Sequence, residues 1–493
     1  MQLKADLLEK KMEFLNVENG LIVTERGENV FLRGTCVGGW MNMEDFIDGY
    51  PGTESGIRKH MIQTLGNSKG EYYFEKLLDA FLSEDDIAFI KSIGATCLRI
   101  PLNYRHFEDD AIPFVYKESG FARLKWLLDV CEKHGLYVIL DMHAVQGWQN
   151  CHWHSDNERG ACTFWTHPHF QERLARLWVE IAERCKHRAV VAGYELMNEP
   201  ASGTPNGDHP FDFFENYQSD WKKVNTVYQY LIRMIRSVDA KHIIFLEGDR
   251  YGRYFSGMDI PIDSNCVYSN HHYALPGFGP GEYPGWYGGE DAHSYWDRDR
   301  YIKEISISEG FTYAKAHNVP LLVGEFGAQY HGPENQVSDR LRSMDDQLSV
   351  YTQLDLHWTT WTYKDAGVMG WVTLDPESEY MQLINPIQKM KKVLGSENFT
   401  ALYQESKGRV LAKQLADLIA EVSQEPHDRR ANAFCFNYAA LTGFAAAMLQ
   451  PSYAKRFAHL SEDGIDRVMK AFEFKNCIMN SRYIALLKKY LQG

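Results

Sequence analysis

Val190-Val191-Ala-Gly193-Tyr-Glu-Leu-Met-Asn198-Glu199-Pro200 is the stretch from which the rest of this chain is read. It is an apolar run that stops abruptly in three polar or breaking residues. Proline cannot donate to a sheet ladder, so Pro200 marks the end of a strand. In a parallel α/β barrel, a carboxylate left at the C-terminal tip of a strand faces a cleft lined by loops. A second run, Leu321-Leu-Val-Gly-Glu325-Phe-Gly327, has the same construction: apolar strand, glutamate, breaker.

Working outward, the periodicity predicts strands at Val30–Gly34, Thr96–Pro101, Leu136–His143, Gly193–Met197, Ile243–Glu247, Cys266–His271, Leu321–Glu325 and Trp358–Trp361. Helical patterns separate most of them. Ser83-Glu-Asp-Asp86 is a capping box that opens a helix ending at Gly94. Leu124, Leu127, Leu128 and Cys131 line one face of a helix over 121–134, and Tyr228, Leu231, Ile232 and Ile235 do the same within 215–239. Eight strands alternating with helices predict an α/β fold, a (β/α)8 TIM barrel. The stretches 40–80, 144–168 and 274–303 follow strand ends, as long βα-loop insertions around a cleft would. The interval between the fifth and sixth strands is short for a full helix. Residues 1–20 read as helical, and residues 21–34 as a small hairpin leading into the first strand. After about residue 400 the pattern is helical with no strand signal, so the chain divides into a barrel over 1–398 and a helical C-terminal extension over 399–493. That extension could cover the barrel, form a homo-oligomer contact or fold as a small module.

Bulk properties narrow the function. The net charge of −14 over 493 residues argues against nucleic acid as a partner, since a phosphate backbone selects a basic surface. The first ten residues contain no apolar leader segment, and no apolar run is long enough to span a membrane. The nine cysteines are scattered, mostly within apolar runs, which fits reduced thiols; the expectation is a cytoplasmic protein. Cys151-His152-Trp153-His154, with Cys162 nearby, matches no common zinc spacing. Twelve tryptophans and 28 tyrosines supply a rich core, and exposed rings are also what sugar clefts use.

Glu199 or Glu325 alone could cap a helix or pair with a lysine. Together, at two strand ends, they are what hydrolysis of a glycosidic bond requires: an acid that protonates the leaving oxygen and a carboxylate that attacks the anomeric carbon. Environment must separate the two roles, and Glu199 is expected to be the member whose pKa is raised. Other strand ends carry polar groups too. Arg99 is buried within an apolar strand, so a partner carboxylate is expected; the pair could simply brace the barrel or keep an attacking carboxylate ionised. His143 could satisfy the core or bond a sugar hydroxyl. Asn198 could bond the 2-hydroxyl, and Tyr273, just after His271, could orient the nucleophile. Trp361 could be core or a floor for the apolar face of a pyranose.

Arg99-Ile-Pro, Asp141-Met-His143, Asn198-Glu199-Pro200, His271-His-Tyr273, Gly324-Glu325-Phe and Trp361 occur in the order found in glycoside hydrolase family 5, and over roughly residues 20–395 the chain resembles that family. The stretch Arg33-Gly-Thr-Cys-Val-Gly-Gly39-Trp40, followed by Glu44, is similar to the first-strand signature of its exo-β-1,3-glucanase and β-glucosidase branch. The resemblance implies a retaining mechanism with Glu199 as acid/base and Glu325 as nucleophile. It places Arg99, His143, Asn198, His271, Tyr273 and Trp361 around the sugar that is cleaved off, Glu44 at the terminal sugar, and Asn150 and Asp156 in the loop after the third strand. It implies a β-linked glucoside or oligosaccharide substrate and neither metal nor organic cofactor. Within the family, an endo-β-glucanase, a glycolipid hydrolase or a diglycosidase are the other readings; outside it, a non-catalytic sugar-binding barrel.

Overall fold

The computed structural model describes residues 12–203, 217–260, 263–279, 281–288, 293–397, 406–423 and 436–492. Eight strands close into a barrel: β1 (Arg33–Cys36), β2 (Cys97–Asn103), β3 (Tyr137–Ala144), β4 (Val191–Glu195), β5 (Ile243–Glu247), β6 (Cys266–His271), β7 (Leu321–Glu325) and β8 (His357–Thr360). Each pairs in parallel with its neighbours in chain order, and β8 closes onto β1. All eight lie where the apolar runs predict them, because strands buried on both faces read as continuous hydrophobic stretches. Ser83 and Asp86 form the predicted capping box on α1 (Glu84–Ile93), and Gly94 ends it in the left-handed region at φ 108°.

The helical prediction for residues 1–20 is corrected over its described part, residues 1–11 lying outside the described residues. Residues 15–18 form a strand, not a helix, paired antiparallel with Leu21–Thr24 across Asn19-Gly20. Both turn residues have positive φ, 53° and 77°. Asn-Gly is the strongest short hairpin signal, and it outweighs the helical composition around it. Leu15 and Ile22 of this hairpin pack with Leu32, Ile139, Phe245, Val267 and Leu322, sealing the N-terminal mouth of the barrel. The opposite mouth is thereby left for the loops.

The first of those loops, after β1, is largely helical, over Glu54–Leu65 and Asn67–Phe81. Between β5 and β6, the described residues hold only the short turn Asp249–Gly252 in place of a full helix. Beyond the barrel, Lys407–Ser423 is helical as predicted, and Phe436–Ala445 continues in a wider π-helical turn. One part of the tail reading does not hold: Cys477–Met479 is a strand that pairs antiparallel with Val372–Leu374. Its partner strand supplies the order, since Ile478 and Met479 are themselves half exposed. The tail packs on the barrel's own helices. Tyr453 shares a chain of hydroxyl bonds with Tyr73 and Tyr380, at 2.8 and 2.7 Å. Lys364, buried after β8, donates to the Phe81 and Phe472 carbonyls at 2.7 Å each. Among the described residues, no helix is long and apolar enough to cross a membrane.

Candidate active site

Arg99 stands at the centre of the barrel, fully buried on β2. A lone guanidinium there would be costly, so carboxylates surround it. Its Nε donates to Glu195 at 2.5 Å and its Nη1 to Glu325 at 2.8 Å. Its Nη2 reaches Asn198 Oδ1 at 2.8 Å and lies 3.2 Å from both Glu247 and Asp141. Burial alone would lower the Arg99 pKa, but Asp141, Glu195 and the other anions hold it well above its usual value. The sequence pointed to one partner; the structure supplies four carboxylates, one from each of β3, β4, β5 and β7. Glu195 escaped the sequence reading because it lies inside a strand run, and Glu247 because its run was read as a strand alone although Gly248 follows it. An ionisable group within an otherwise apolar strand was the available signal. Burial raises Asp141 to about 7, against the pull of Arg99, and Glu247 to about 8.

Glu325 ends β7 with its carboxylate clamped from two sides. Arg99 holds Oε1, and the Tyr273 hydroxyl donates to Oε2 at 2.8 Å. Glu199 is built differently. Strand β4 ends at Glu195, four residues earlier than the tip the sequence suggested, and Glu199 sits in the following loop at φ +46°. That backbone is pinned: Asn198 N–H donates to the Met142 carbonyl at 3.0 Å, Glu199 N–H to Glu247 at 2.9 Å, and Ala201 N–H to the Gln149 carbonyl at 3.1 Å. A non-glycine residue held at positive φ costs about 1–3 kcal/mol, which such surroundings offset. Oxygens of Glu199 and Glu325 lie within 4.8 Å of one another, with His271 between them.

His271 Nδ1 is 2.7 Å from Glu199 Oε1 and 3.6 Å from Glu325 Oε2, and Nε2 is 3.3 Å from Glu247. Burial disfavours the imidazolium, but Glu247, Glu325 and Glu199 raise its pKa well above the usual value. The Glu199 prediction is corrected in turn. Burial alone would raise its carboxyl, but the hydrogen bond from His271 holds it well below the ordinary range. In the unliganded site, the pair therefore rests as carboxylate and imidazolium, with its one proton on His271.

The remaining residues divide into two groups. His143 Nδ1 donates to Asp141 at 2.7 Å, and its Nε2 is 3.3 Å from the Asn198 amide and 3.5 Å from Glu44. Burial pushes His143 down to about 3, so the ring is neutral. Trp361 stacks on it at 5.3 Å with 9° between the planes. Glu44 is buried beside them, and burial raises its pKa well above that of an exposed carboxyl. These groups converge on one side of the carboxylate pair. Asn150 and Asp156 do not join them. Asn150 donates to the Glu199 carbonyl at 2.9 Å and accepts from His152 N–H at 3.0 Å. Asp156 accepts from Ser55 N–H at 2.7 Å and from Arg105 at 2.9 Å. Both were expected at the substrate face. Both side chains are taken up in tying loops together: Asn150 joins the backbone of its own loop to that of Glu199, and Asp156 satisfies a backbone N–H of the loop after β1 and the Arg105 guanidinium.

The Cys-His stretch is drawn together only in part: Cys151 meets both Cys162 and His152, but His154 leaves the group. Cys151 Sγ meets the Tyr251 hydroxyl at 3.4 Å, His152 stacks on the Tyr251 ring at 4.8 Å, and His154 turns instead toward Glu199. Asp141, Glu195 and Glu247 bring oxygens close enough to share an ion, but the Arg99 guanidinium already occupies that place.

A closed parallel barrel with two facing carboxylates at its loop end, one held by a guanidinium and the other by an imidazole, defines the class of carboxylate-pair glycosidase barrels. The chain belongs to glycosyl hydrolase family 5: residues 59–367 match the family described as Cellulase (glycosyl hydrolase family 5). It is 33% identical to a β-xylosidase of Phanerodontia chrysosporium over 482 residues, covering 95% of this chain and 96% of that one. It is 22% identical to a probable glucan 1,3-β-glucosidase A of Emericella nidulans, over 69% of this chain and 87% of the relative. Among solved structures, an endogalactoceramidase superposes with a TM-score of 0.50 at 16% identity, over 72% of this chain and 75% of the other, a likeness of fold.

Proposed function

We propose that this protein is a retaining, exo-acting β-glycosidase of the β-glucosidase or glucan β-glucosidase type, acting on short β-linked substrates, with Glu325 as nucleophile and Glu199 as acid/base. The observation that carries the reading is the separation of the two carboxylates, oxygen to oxygen within 4.8 Å. Double displacement uses a spacing of ~5–5.5 Å, whereas an inverting pair stands ~6.5–9.5 Å apart to admit a water. Glu325 Oε attacks the anomeric carbon, and the glycosidic bond breaks as Glu199 protonates the leaving oxygen. The proton comes from His271 Nδ1, across the 2.7 Å bond to Glu199. In the second half, Glu199 takes a proton from water, the hydroxide oxygen attacks the anomeric carbon, and the ester to Glu325 breaks.

Exo action is supported by Glu44, buried beside the His143–Trp361 stack on one side of the pair. A protonated or hydrogen-bonding carboxyl there suits the hydroxyls of a terminal sugar and closes that end of the cleft. A xyloside is the second reading for the cleaved sugar, favoured by the β-xylosidase relative that matches nearly the whole chain. The test is a panel of aryl β-glucosides, aryl β-xylosides and short β-linked oligosaccharides, with the first-formed product followed by proton NMR. A β-anomer, with a 2-fluoro glycosyl label recovered on Glu325, is the expected result; an α-anomer removes the mechanism.

A further inference from the structure

The two oxygens of Glu199 face different partners. Oε1 takes the hydrogen bond from His271, and Oε2 lies 3.3 Å from Nε2 of His154. His154 comes from the long loop after β3, where the sequence reading gave roles only to Asn150 and Asp156. It is not loosely placed. The His154 carbonyl accepts from Asn42 at 3.3 Å, and its neighbours Cys151 and His152 are fixed on Tyr251. Asn150 ties the same loop to the backbone of Glu199 itself. The groups that face the His154 ring are Glu199, His143, His152 and Tyr251, with ring centroids at 6.0, 5.6 and 6.2 Å for the last three. Burial pushes its pKa down to about 3, so the ring is neutral at working pH, and Nε2 is the ring nitrogen that faces the Glu199 carboxylate.

Glu199 retains 13% side-chain exposure and His154 12%, so both border the open cleft. His271 delivers its proton to Oε1, so the leaving oxygen takes it there, and the charge returning to the carboxylate is shared with Oε2, the oxygen that His154 faces. We propose that His154 is a positioning residue for the acid step: its Nε2–H holds Oε2 of Glu199 and stabilises the charge left there as the proton passes to the leaving-group oxygen. Unlike the His271 imidazolium on Oε1, the neutral His154 stabilises the carboxylate without adding a second cation. The benefit is greatest for alkoxide leaving groups, that is, alcohols and sugar hydroxyls, and vanishes for acidic phenols that depart without protonation. This inference rests on the acid/base role given to Glu199 above.

The test compares kcat/KM of wild type, His154→Ala, His154→Gln and Glu199→Gln on an alkyl β-glycoside and a 2,4-dinitrophenyl β-glycoside, in whichever of the glucoside and xyloside series the wild type turns over. Removing one preorganised donor should lower the alkyl rate by ~10²-fold in His154→Ala. The dinitrophenyl rate should change by less than ~3-fold, because general-acid help is not needed there. His154→Gln, which keeps an N–H donor, should recover part of the loss. The ratio of the two substrates in one preparation is independent of how much protein is folded. An equal fall on both substrates, or none on the alkyl glycoside, overturns the role of His154. If Glu199→Gln also fails to discriminate between them, it is the acid/base assignment that falls.

Discussion

Glu325 and Glu199 face each other across a few ångströms, yet the chain builds them in opposite ways. Glu325 is the last residue of a barrel strand, and its oxygens are fixed by Arg99 and Tyr273, so its position comes directly from sheet register. Glu199 lies four residues beyond its strand, at positive φ, with an imidazole on each oxygen. One carboxylate is held by permanent charge in a dry interior. The other is held by one ring that can give up or take a proton, His271, with a neutral ring, His154, facing its second oxygen. A nucleophile needs constancy and an acid/base needs exchange, so the two kinds of support match the two proposed tasks.

Removing the carboxylates tests the comparison most severely. Glu325→Ala should lower kcat by at least ~10⁴-fold, since no other group can form the ester. Glu199→Ala should cost ~10²–10⁴-fold on poor leaving groups. Azide should rescue both, and the faces should differ: an α-glycosyl azide from the Glu325 variant and a β-glycosyl azide from the Glu199 variant, distinguishable by NMR. Replacing Arg99 by Met strikes the fixed side. It leaves four carboxylates without their cation and should destabilise the fold by about 3–5 kcal/mol, read as a lower midpoint of denaturant unfolding. Tyr273→Phe removes one bond to Glu325 and should reduce kcat by about 10- to 100-fold with the melting temperature nearly unchanged.

The smallest effect concerns the exchangeable side. The folded-state pKa of His271 is raised, so the stability it contributes is complete below the ordinary imidazole range and is lost as pH climbs through the raised value. The melting-temperature gap between wild type and His271→Gln should therefore narrow toward alkaline pH. A gap that widened would mean that His271 is neutral at rest.

How legible this was in the sequence follows the same division. The eight strands and Glu325 could be read from apolar runs and their breakers, because a buried parallel strand and the residue at its tip are local features. Arg99 announced itself as a charge within an apolar strand, but not the number of its partners, since Glu195 and Glu247 meet it only through barrel closure. Glu199 was found, but its protonation at rest was read the wrong way. Burial raises a carboxyl, and the sequence does not show that His271, 72 positions away, would bring the counter-charge within 2.7 Å. The loop after β3 was least legible. Whether Asn150, His154 or Asp156 faces the cleft depends on which backbone groups the loop must satisfy, and that is settled only once the loop is closed.

The docking of the tail has a consequence for how the polypeptide is made. The hydroxyl of Tyr73 waits for Tyr453, and the Lys364 ammonium for the carbonyl of Phe472. Strand Val372–Leu374 stays an open edge until Cys477–Met479 arrives. During synthesis the barrel strands can close before residues 450–479 have emerged, but several of its buried polar groups then lack one of their partners. The nascent enzyme passes through an interval in which its catalytic strands are assembled and its flank is unfinished, and a segment that emerges after the barrel completes it.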